Sequence, residues 1–348
     1  MAAYTTIVDA GLFYIVKLWT GNSTTDRAMT GVGFQPDFLW IKGRNEGTDH
    51  ELQDSVRGST KYLNSNDNGA EATETEGVKS FDTDGYTLGN ANYWNWTAKT
   101  FAGWSWKAGT TTGITGSPSI TPASYSFNQI NGFSIIKYVG NGVAGATIPH
   151  GLGAVPHFAI FKYLDGAEAW ACYHQSIGNG KKLVPNTTES EVTQSTIWND
   201  TSPTSTLFSI GTHANVNTNT INYIAYIFTE KTGYSKFSSY KGNGDAWGPF
   251  VYTGFRPAVV IRKRATGSAE YWSMIDTKRL GYNPNNAYLF PNDAGVENAA
   301  VTRIDILSNG FKLRSADGAD NDTNETYVYA AFAEFPIVSS NSKAGVAR

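Results

Sequence analysis

Short apolar runs separated by turn-forming residues recur along the whole chain. Residues 38–41 (FLWI) are apolar at every position and follow Pro36, which predicts a central strand covered on both faces. Other segments alternate between apolar and polar positions, which predicts half-buried strands whose inward side chains form a core between two sheets. The best examples of this alternation are Tyr86, Leu88, Phe101 and Trp106. The pattern therefore predicts an all-β protein.

One series of landmarks occurs three times in the same order. Each copy opens with a strand that ends in a Gly-Asn turn. An apolar run follows this turn. A proline precedes the run, and a basic residue ends it. Asn243 lies 221 residues after Asn22, and Pro257 lies 221 residues after Pro36. The second copy carries the same turn at Asn141. Agreement between two independent landmarks indicates tandem repeats.

The three repeats span residues 3–109, 124–232 and 233–348, and we call them repeats 1, 2 and 3. Residues 110–123 form a linker rich in Thr, Ser, Gly and Pro. A unit of about 105 residues with five or more strands has the size of one β-sandwich. We therefore predict three tandem β-sandwich domains of jelly-roll or lectin-like type. No spacer separates repeats 2 and 3, which predicts that these two pack together and that repeat 1 is more independent. The three repeats could form either a pseudo-threefold ring or a linear array.

Composition supports this fold class and narrows the function. Aromatic residues make up 14% of the chain and charged residues 16%, against roughly 25% charged in an ordinary soluble domain. The net charge is −3, and the basic residues are dispersed, so we expect no nucleic-acid partner. The single cysteine, Cys172, cannot form an internal disulfide. No apolar run is long enough to cross a membrane and no basic export signal begins the chain, so we expect no membrane insertion.

The residues that could carry catalysis or hold a metal do not form a recognisable motif. Five histidines lack metal-binding spacing. Ser55 lacks the glycines of a nucleophile elbow. The flanking pair Asp54 and Arg57 recurs in repeat 3 as Asp276 and Arg279, which favours a loop ion pair over a nucleophile. No acid pair is shared by the repeats, as a glycosidase built on them would require. We therefore predict that the protein is not an enzyme and that it has no catalytic residue and no cofactor.

Two acidic segments resemble cation sites. Residues 82–85 (DTDG) resemble the start of a calcium loop but lack its later glutamate, so a hairpin turn is the favoured interpretation. The cluster of Asp317, Asp320 and Asp322 could hold a hard cation adventitiously. We predict no dedicated metal site.

Aromatic residues outside the strand patterns are the candidates for ligand contact. Trp40, Trp104 and Trp106 fit strands and are expected in the core. Four others lie in turn-like segments, the first three of them in what we interpret as an insertion specific to repeat 1: Tyr93, Trp94, Trp96 and Trp247. An exposed aromatic ring can stack on a pyranose face while Asn or Asp bonds to its hydroxyls, so these are candidate ligand or interface residues. The alternative is that they cap the sandwich or are buried between repeats.

The landmark strings together resemble a family of uncharacterised tandem-repeat virion proteins of tailed phages, many of them marine or cyanobacterial. The strings that carry the resemblance are residues 31–44 (GVGFQPDFLWIKGR), 54–58 (DSVRG), 80–89 (SFDTDGYTLG), 104–109 (WSWKAG), 233–244 (GYSKFSSYKGNG), 249–257 (PFVYTGFRP) and 308–314 (SNGFKLR). The resemblance covers nearly the whole chain. The chain departs from tail fibres because it shows no adaptor before repeat 1 and no collagen-like or heptad shaft.

The resemblance implies a non-enzymatic structural protein exposed on the virion, either tail-associated or a capsid appendage, that contributes to host attachment. It implies other virion proteins as partners, several copies per particle or a homo-oligomer, a host surface glycan as a further partner, and assembly in the host cytoplasm. It supplies no catalytic residue. The alternatives are a lectin-like carbohydrate-binding module and, less favoured, a polysaccharide depolymerase.

Overall fold

β-strands dominate the described part of the chain, and the helices there are single turns. The computed structural model describes residues 5–279, residue 283 and residues 287–336. The outer limits of the sequence repeats, residues 3–4 and 337–348, lie outside the described residues. The all-β prediction is confirmed.

The elements follow the order of the repeats. Repeat 1 contains a 3-10 turn (Ala10–Leu12), β1 (Tyr14–Thr20), β2 (Arg27–Met29), β3 (Phe38–Gly43), β4 (His50–Asp54), β5 (Gly58–Asn64), β6 (Ala72–Thr73), β7 (Val78–Asp82), β8 (Gly85–Leu88), α1 (Asn92–Asn95) and β9 (Thr100–Trp106). Repeat 2 contains β10 (Ser124–Asn128), β11 (Phe133–Val139), β12 (Ala146–Pro149), β13 (Phe158–Tyr163), β14 (Ala171–His174), a 3-10 turn (Gln175–Ile177), β15 (Lys181–Lys182), β16 (Val192–Thr193), α2 (Ser195–Trp198), β17 (Leu207–Ile210), α3 (Ala214–Asn217) and β18 (Asn222–Phe228). Repeat 3 contains β19 (Ser235–Lys241), β20 (Phe250–Tyr252), β21 (Phe255–Arg264), β22 (Ser273–Asp276), β23 (Tyr288–Leu289), β24 (Ile304–Leu307), β25 (Gly310–Leu313), α4 (Gly318–Asn321) and β26 (Thr326–Pro336).

Each repeat has one large antiparallel sheet with the same strand order. The opening strand pairs with the closing strand, which pairs with the proline-led strand, which pairs with the strand after it. This order is β1-β9-β3-β4 in repeat 1, β11-β18-β13-β14 in repeat 2 and β19-β26-β21-β22 in repeat 3. A smaller sheet accompanies each of them: β2-β8-β7, β12-β17 and β20-β25-β24.

Each large sheet is covered on both faces. In β3, Leu39 and Ile41 pack with Tyr86 of the smaller sheet in a core that belongs to repeat 1. The alternate residues, Phe38 and Trp40, point the other way into a core shared by all three repeats. The prediction that residues 38–41 form a central strand covered on both faces is therefore confirmed. The core of repeat 1 covers one face, and the shared core covers the other.

Three equivalent aromatic residues lie near the centre of the shared core. Trp106, Phe228 and Phe332 occupy the same register position, opposite Phe38, Phe158 and Val259 respectively. The Phe332 ring lies 5.6 Å from the ring of Trp106 and 5.6 Å from that of Phe228. The large sheets of the three repeats therefore meet around one centre.

Hydrogen bonds join each repeat to both of the others and close into a ring. Trp170 of repeat 2 donates to the Asn64 carbonyl of repeat 1 at 3.0 Å, and Trp272 of repeat 3 donates to the Val184 carbonyl of repeat 2 at 3.1 Å. Ser65 of repeat 1 donates to the Pro291 carbonyl of repeat 3 at 2.6 Å, which closes the circle. The structure is thus a pseudo-threefold ring and not a linear array. The expectation that repeat 1 is more independent is wrong, because repeat 1 contacts both neighbours.

A single-turn helix recurs before the closing strand of every repeat, as α1, α3 and α4. The interpretation of residues 92–96 as an insertion specific to repeat 1 is therefore wrong. Sequence comparison missed the equivalence because the helices read NYWN, ANVN and GADN and share only their last asparagine.

That shared asparagine fixes the Gly-Asn turn after the opening strand. Asn95 accepts a hydrogen bond from the backbone of Asn22 at 3.1 Å and donates to the Gly89 carbonyl at 3.0 Å. The equivalent bonds join Asn217 to the Asn141 backbone at 2.8 Å and Asn321 to the Asn243 backbone at 2.9 Å. Gly21 precedes the first of these turns, and a Cβ there would collide with the Trp96 carbonyl, which explains why the turn begins with glycine.

Candidate functional site

Three buried lysines lie at equivalent positions in the junctions between repeats. They are the basic residues that close the apolar runs: Lys42, Lys162 and Lys263. The Lys162 amine of repeat 2 donates to the Asn68 carbonyl of repeat 1 at 3.2 Å, and the Lys263 amine of repeat 3 donates to the Thr188 carbonyl of repeat 2 at 3.1 Å. The Lys42 amine of repeat 1 donates to the Ala294 carbonyl of repeat 3 at 3.2 Å. Each lysine therefore ties its repeat to the preceding one around the ring.

Burial disfavours the charged form of these lysines. It lowers the pKa of Lys42, Lys162 and Lys263 from 10.5 to about 8 in each case. Each amine has a second carbonyl acceptor within its own repeat, at Gly43, Tyr163 and Glu270 respectively. Two acceptors match the two N–H groups of a neutral amine, so deprotonation leaves both bonds in place.

A buried acid and an aromatic donor face each other across two of the junctions. The Tyr226 hydroxyl of repeat 2 donates to Asp54 at 2.7 Å, and the Asp54 carboxylate also accepts from Arg57 at 2.5 Å. At the next equivalent junction, Trp104 of repeat 1 donates to Asp276 at 3.2 Å. The predicted loop ion pairs thus exist, but they are buried between repeats and do not lie on the surface.

The third junction reverses the polarity of this contact. His174 replaces the acid, and its Nε2 lies 3.2 Å from the Tyr329 carbonyl. The Ser176 backbone donates to Nδ1 at 3.2 Å, so the Nε2 nitrogen carries the proton and donates to Tyr329. Burial lowers the pKa of His174 to about 4, which keeps the imidazole neutral. Cys172, two residues earlier, is also buried, and burial raises the pKa of its thiol.

Ser55 lies beside a polar cavity of about 500 Å³ between repeat 1 and the linker. Its hydroxyl donates to the Asp37 carboxylate at 2.7 Å, and Ser126 donates to the same oxygen at 3.1 Å. The Ala108 backbone donates to the second Asp37 oxygen at 2.7 Å, while burial raises the pKa of the carboxyl. The hydroxyls of this site are thus occupied in holding Asp37.

The acidic clusters are paired with backbone amides or arginines. Asp84 accepts from the Gly33 backbone at 2.6 Å in the turn between β7 and β8. Each aspartate of the repeat 3 cluster has an arginine partner: Asp317 and Asp320 pair with Arg303, and Asp322 pairs with Arg264. Within residues 5–279, 283 and 287–336, no group of three or more potential ligands is arranged to hold a metal ion.

The predicted aromatic candidates of repeat 1 differ in exposure. Trp94 is only 3% exposed and packs edge-on against Tyr62 at 5.3 Å, so it cannot present a face to a ligand. Trp96 is half-buried, with the Lys99 amine 5.2 Å from its ring. Tyr93 is 40% exposed. Trp94 is therefore part of the core of repeat 1 and does not lie between repeats.

Trp247 is the most accessible of the four candidates, with 68% of its surface exposed. The Arg314 guanidinium lies 4.6 Å from the ring centre, and Arg314 is paired with Asp305. The structure does not bring Trp247 together with the repeat 1 candidates, because it lies on the smaller sheet of repeat 3.

Two exposed aromatic residues beside Trp247 were missed by the sequence reasoning. Phe250 and Tyr252 lie on the same face of β20, while Val251 between them is buried. Residues 250–252 (FVY) formed part of a string that carried the family resemblance and were not considered as candidates for ligand contact. Alignment of this strand with its equivalents in repeats 1 and 2 could have identified them.

In the part of the chain that the structure describes, no helix is long and apolar enough to span a membrane.

In comparisons with known proteins, a family described as a domain of unknown function (DUF7483) matches residues 9–336. No curated protein and no solved structure matches the chain. The matched segment begins before β1 and ends at the last residue of β26, so the family unit comprises all three repeats together.

Proposed function

The chain belongs to the DUF7483 family, and we propose that it is a non-enzymatic structural protein of a tailed-phage particle, exposed on the tail or capsid, that occupies a threefold site as a single chain. The observation that carries this proposal is the closed ring of three equivalent junctions. A ring of this kind offers three related surfaces about one axis and can therefore contact three equivalent subunits of a symmetric assembly.

The energetics of the ring support a role as a preformed building block. A true trimer loses translational and rotational freedom when its subunits associate. Here the three repeats are joined covalently, and buried contacts such as those of Lys42, Lys162 and Lys263 fix their positions. The protein can therefore enter an assembly as a rigid unit at any concentration.

In this proposal each repeat is one β-sandwich domain, formed by the large sheet and its smaller partner, with the boundaries 3–109, 124–232 and 233–348. Residues 110–123 serve as the linker. The resemblance of the landmark strings to phage virion proteins supports the assignment to a particle. The partners are other virion proteins, and several copies are present on each particle.

The proposal is tested on virions of the phage that encodes the chain. Mass spectrometry of gradient-purified virions should detect the protein, and electron cryomicroscopy should show its density on a threefold axis or against a trimeric component. Retention after a high-salt wash serves as the control for adsorbed protein. Absence from washed virions would overturn the assignment, and density away from any threefold site would overturn the role of the ring.

A further inference from the structure

The outer face of the smaller sheet in repeat 3 carries aromatic side chains where the other repeats have none. Met29, Ile148 and Val251 are equivalent buried residues, because they pair with the equivalent residues Tyr86, Phe208 and Phe311. The residues on either side of them lie on the opposite face of the strand. They are Ala28 and Thr30 in repeat 1, which are exposed, Thr147 and Pro149 in repeat 2, which are half-buried and buried, and Phe250 and Tyr252 in repeat 3, which are exposed. Since two repeats fold with small residues there, the fold does not require Phe250 and Tyr252.

These side chains are unusually exposed for aromatic residues. Trp247 is 68% exposed, Tyr252 60% and Phe250 44%. Among the described residues, six aromatic side chains are exposed, and these three lie within six positions of one another. Such a concentration of exposed aromatic surface on one sheet face indicates a binding surface.

The loop that presents Trp247 is held rigidly. The Asn321 side chain donates to the Asp245 carbonyl at 2.7 Å, and the Lys312 amine donates to the Gly248 carbonyl at 2.9 Å. A Cβ at Gly248 would collide with Leu313, so the loop packs tightly against β25.

The Trp247 ring is also supported from one side. Arg314 lies against it, 4.6 Å from the ring centre, and Asp305 of β24 pairs with Arg314. A tryptophan fixed in this way loses little conformational entropy when a ligand binds to its free face.

We propose that Trp247, Phe250 and Tyr252 form a carbohydrate-binding surface for a pyranose polysaccharide. Phe250 and Tyr252 are two residues apart on one strand, so their side chains emerge about 7 Å apart along the sheet. Flat rings at such a spacing can stack on the faces of sugar units in one extended chain. Lys312 is the cross-strand neighbour of Phe250, Asp305 is the next neighbour, and Arg314 lies against Trp247, so donors and acceptors for sugar hydroxyls adjoin the rings.

The polar neighbours favour a sugar chain over a protein partner. The centre of a protein interface is depleted of lysine and aspartate. On this face Phe250 pairs across the strands with Lys312, and Lys312 pairs with Asp305. Charged groups therefore lie next to the aromatic rings in the middle of the surface, where hydroxyl-bearing ligands can use them. This surface is a property of the isolated protein, so its binding of glycans does not depend on where the protein lies in a particle.

The test uses the full chain on a printed array of defined neutral and acidic pyranose glycans, followed by titration calorimetry with the glycan that binds best. The chain itself supplies fold-compatible variants, because Phe250→Ala with Tyr252→Thr copies the residues that repeat 1 carries at these positions. Trp247→Ala removes the third ring. Phe335→Ala is the matched control, since Phe335 is as exposed as Phe250 but lies on β26 in the large sheet of repeat 3.

We expect the wild type and Phe335→Ala to bind the same glycans with equal affinity. Trp247→Ala and the double variant should each weaken binding by about tenfold or more, as loss of a stacked ring at the centre of a site does. Absence of binding by the wild type on the whole array would overturn the proposal. So would binding that Phe335→Ala weakens as much as the variants of the proposed surface do. If no glycan binds but the double variant is lost from washed virions, the surface docks a virion protein instead.

Discussion

Tyr226 of repeat 2 donates a hydrogen bond of 2.7 Å to the buried Asp54 carboxylate of repeat 1. The same carboxylate accepts from Arg57, and all three side chains are buried. The equivalent contact, from Trp104 to Asp276, joins repeats 1 and 3. At these two junctions, a buried acid of one repeat therefore accepts a hydrogen bond from a side chain of the neighbouring repeat.

Tyr226→Phe should destabilise the protein by about 2 kcal/mol, because it removes the hydrogen bond to the buried Asp54 carboxylate and the longer bond that Arg57 donates to the same hydroxyl. Urea denaturation monitored by circular dichroism measures the loss. Tyr93→Phe is the control, since its hydroxyl is at an exposed position, and it should change the unfolding free energy by less than about 0.5 kcal/mol. Equal stability of Tyr226→Phe and wild type would contradict a structural role for this bond.

The buried lysines predict a dependence of stability on pH. Burial lowers the pKa of Lys162 from 10.5 in the unfolded chain to about 8 in the folded protein. Between these pH values the unfolded state binds more protons, so the contribution of Lys162 to the unfolding free energy rises with pH. The wild type should therefore gain up to about 3 kcal/mol relative to Lys162→Met between pH 8 and 10.5.

The comparison is made by urea denaturation of both proteins at pH 7, 8, 9 and 10. Taking the difference cancels the titration of the buried tyrosines, which both proteins share. Lys241→Met, at an exposed lysine of repeat 3, is the matched control and should show a flat difference. A difference between wild type and Lys162→Met that stays constant or falls with rising pH would show that Lys162 does not titrate as the structure indicates.

The sequence predicted the strands well, because apolar runs and alternation leave periodic signals, and the recurring landmarks correspond to the strand order that three large sheets share. Residues 38–41 were assigned to a doubly covered strand from their unbroken apolar run. The ring left no comparable signal, since contacts such as that of Lys162 with the Asn68 carbonyl join residues 94 positions apart and use a backbone acceptor. A lysine that closes an apolar run is ordinarily exposed, so nothing in the local sequence distinguished these three.

The candidate binding residues were also predicted only in part. Trp247 was found because a Gly-Pro turn follows it, whereas Trp94 was misassigned because α1 does not resemble α3 or α4 in sequence. The equivalence of the three helices depends on the side-chain amides of Asn95, Asn217 and Asn321, which bond to turns more than 70 residues away. Only the folded chain brings these partners together.

Asn217→Ala should destabilise the protein by about 2 to 4 kcal/mol, because the Asn217 amide holds both the Asn141 turn and the end of β17. It accepts from the Asn141 backbone at 2.8 Å and donates to the Gly211 carbonyl at 2.8 Å, and its loss leaves these buried groups unpaired. Thermal unfolding measures the effect. Asn219→Ala, at an exposed position in the next turn, should leave the midpoint nearly unchanged. A similar midpoint for both variants would argue against the role assigned to the shared asparagine.

Phe332→Ala should lower the stability of all three repeats together, because its ring touches Tyr14 and Trp106 of repeat 1 and Phe228 of repeat 2. Removal of a buried phenylalanine costs about 3 to 5 kcal/mol. Six of the 10 tryptophans lie in repeat 1, so tryptophan fluorescence mainly reports on a repeat that does not contain the substitution. The fluorescence and circular dichroism transitions should shift to lower urea by the same amount and remain coincident. If the fluorescence transition stayed at its wild-type position while circular dichroism showed an earlier step, the repeats would unfold independently and the shared core would not couple them.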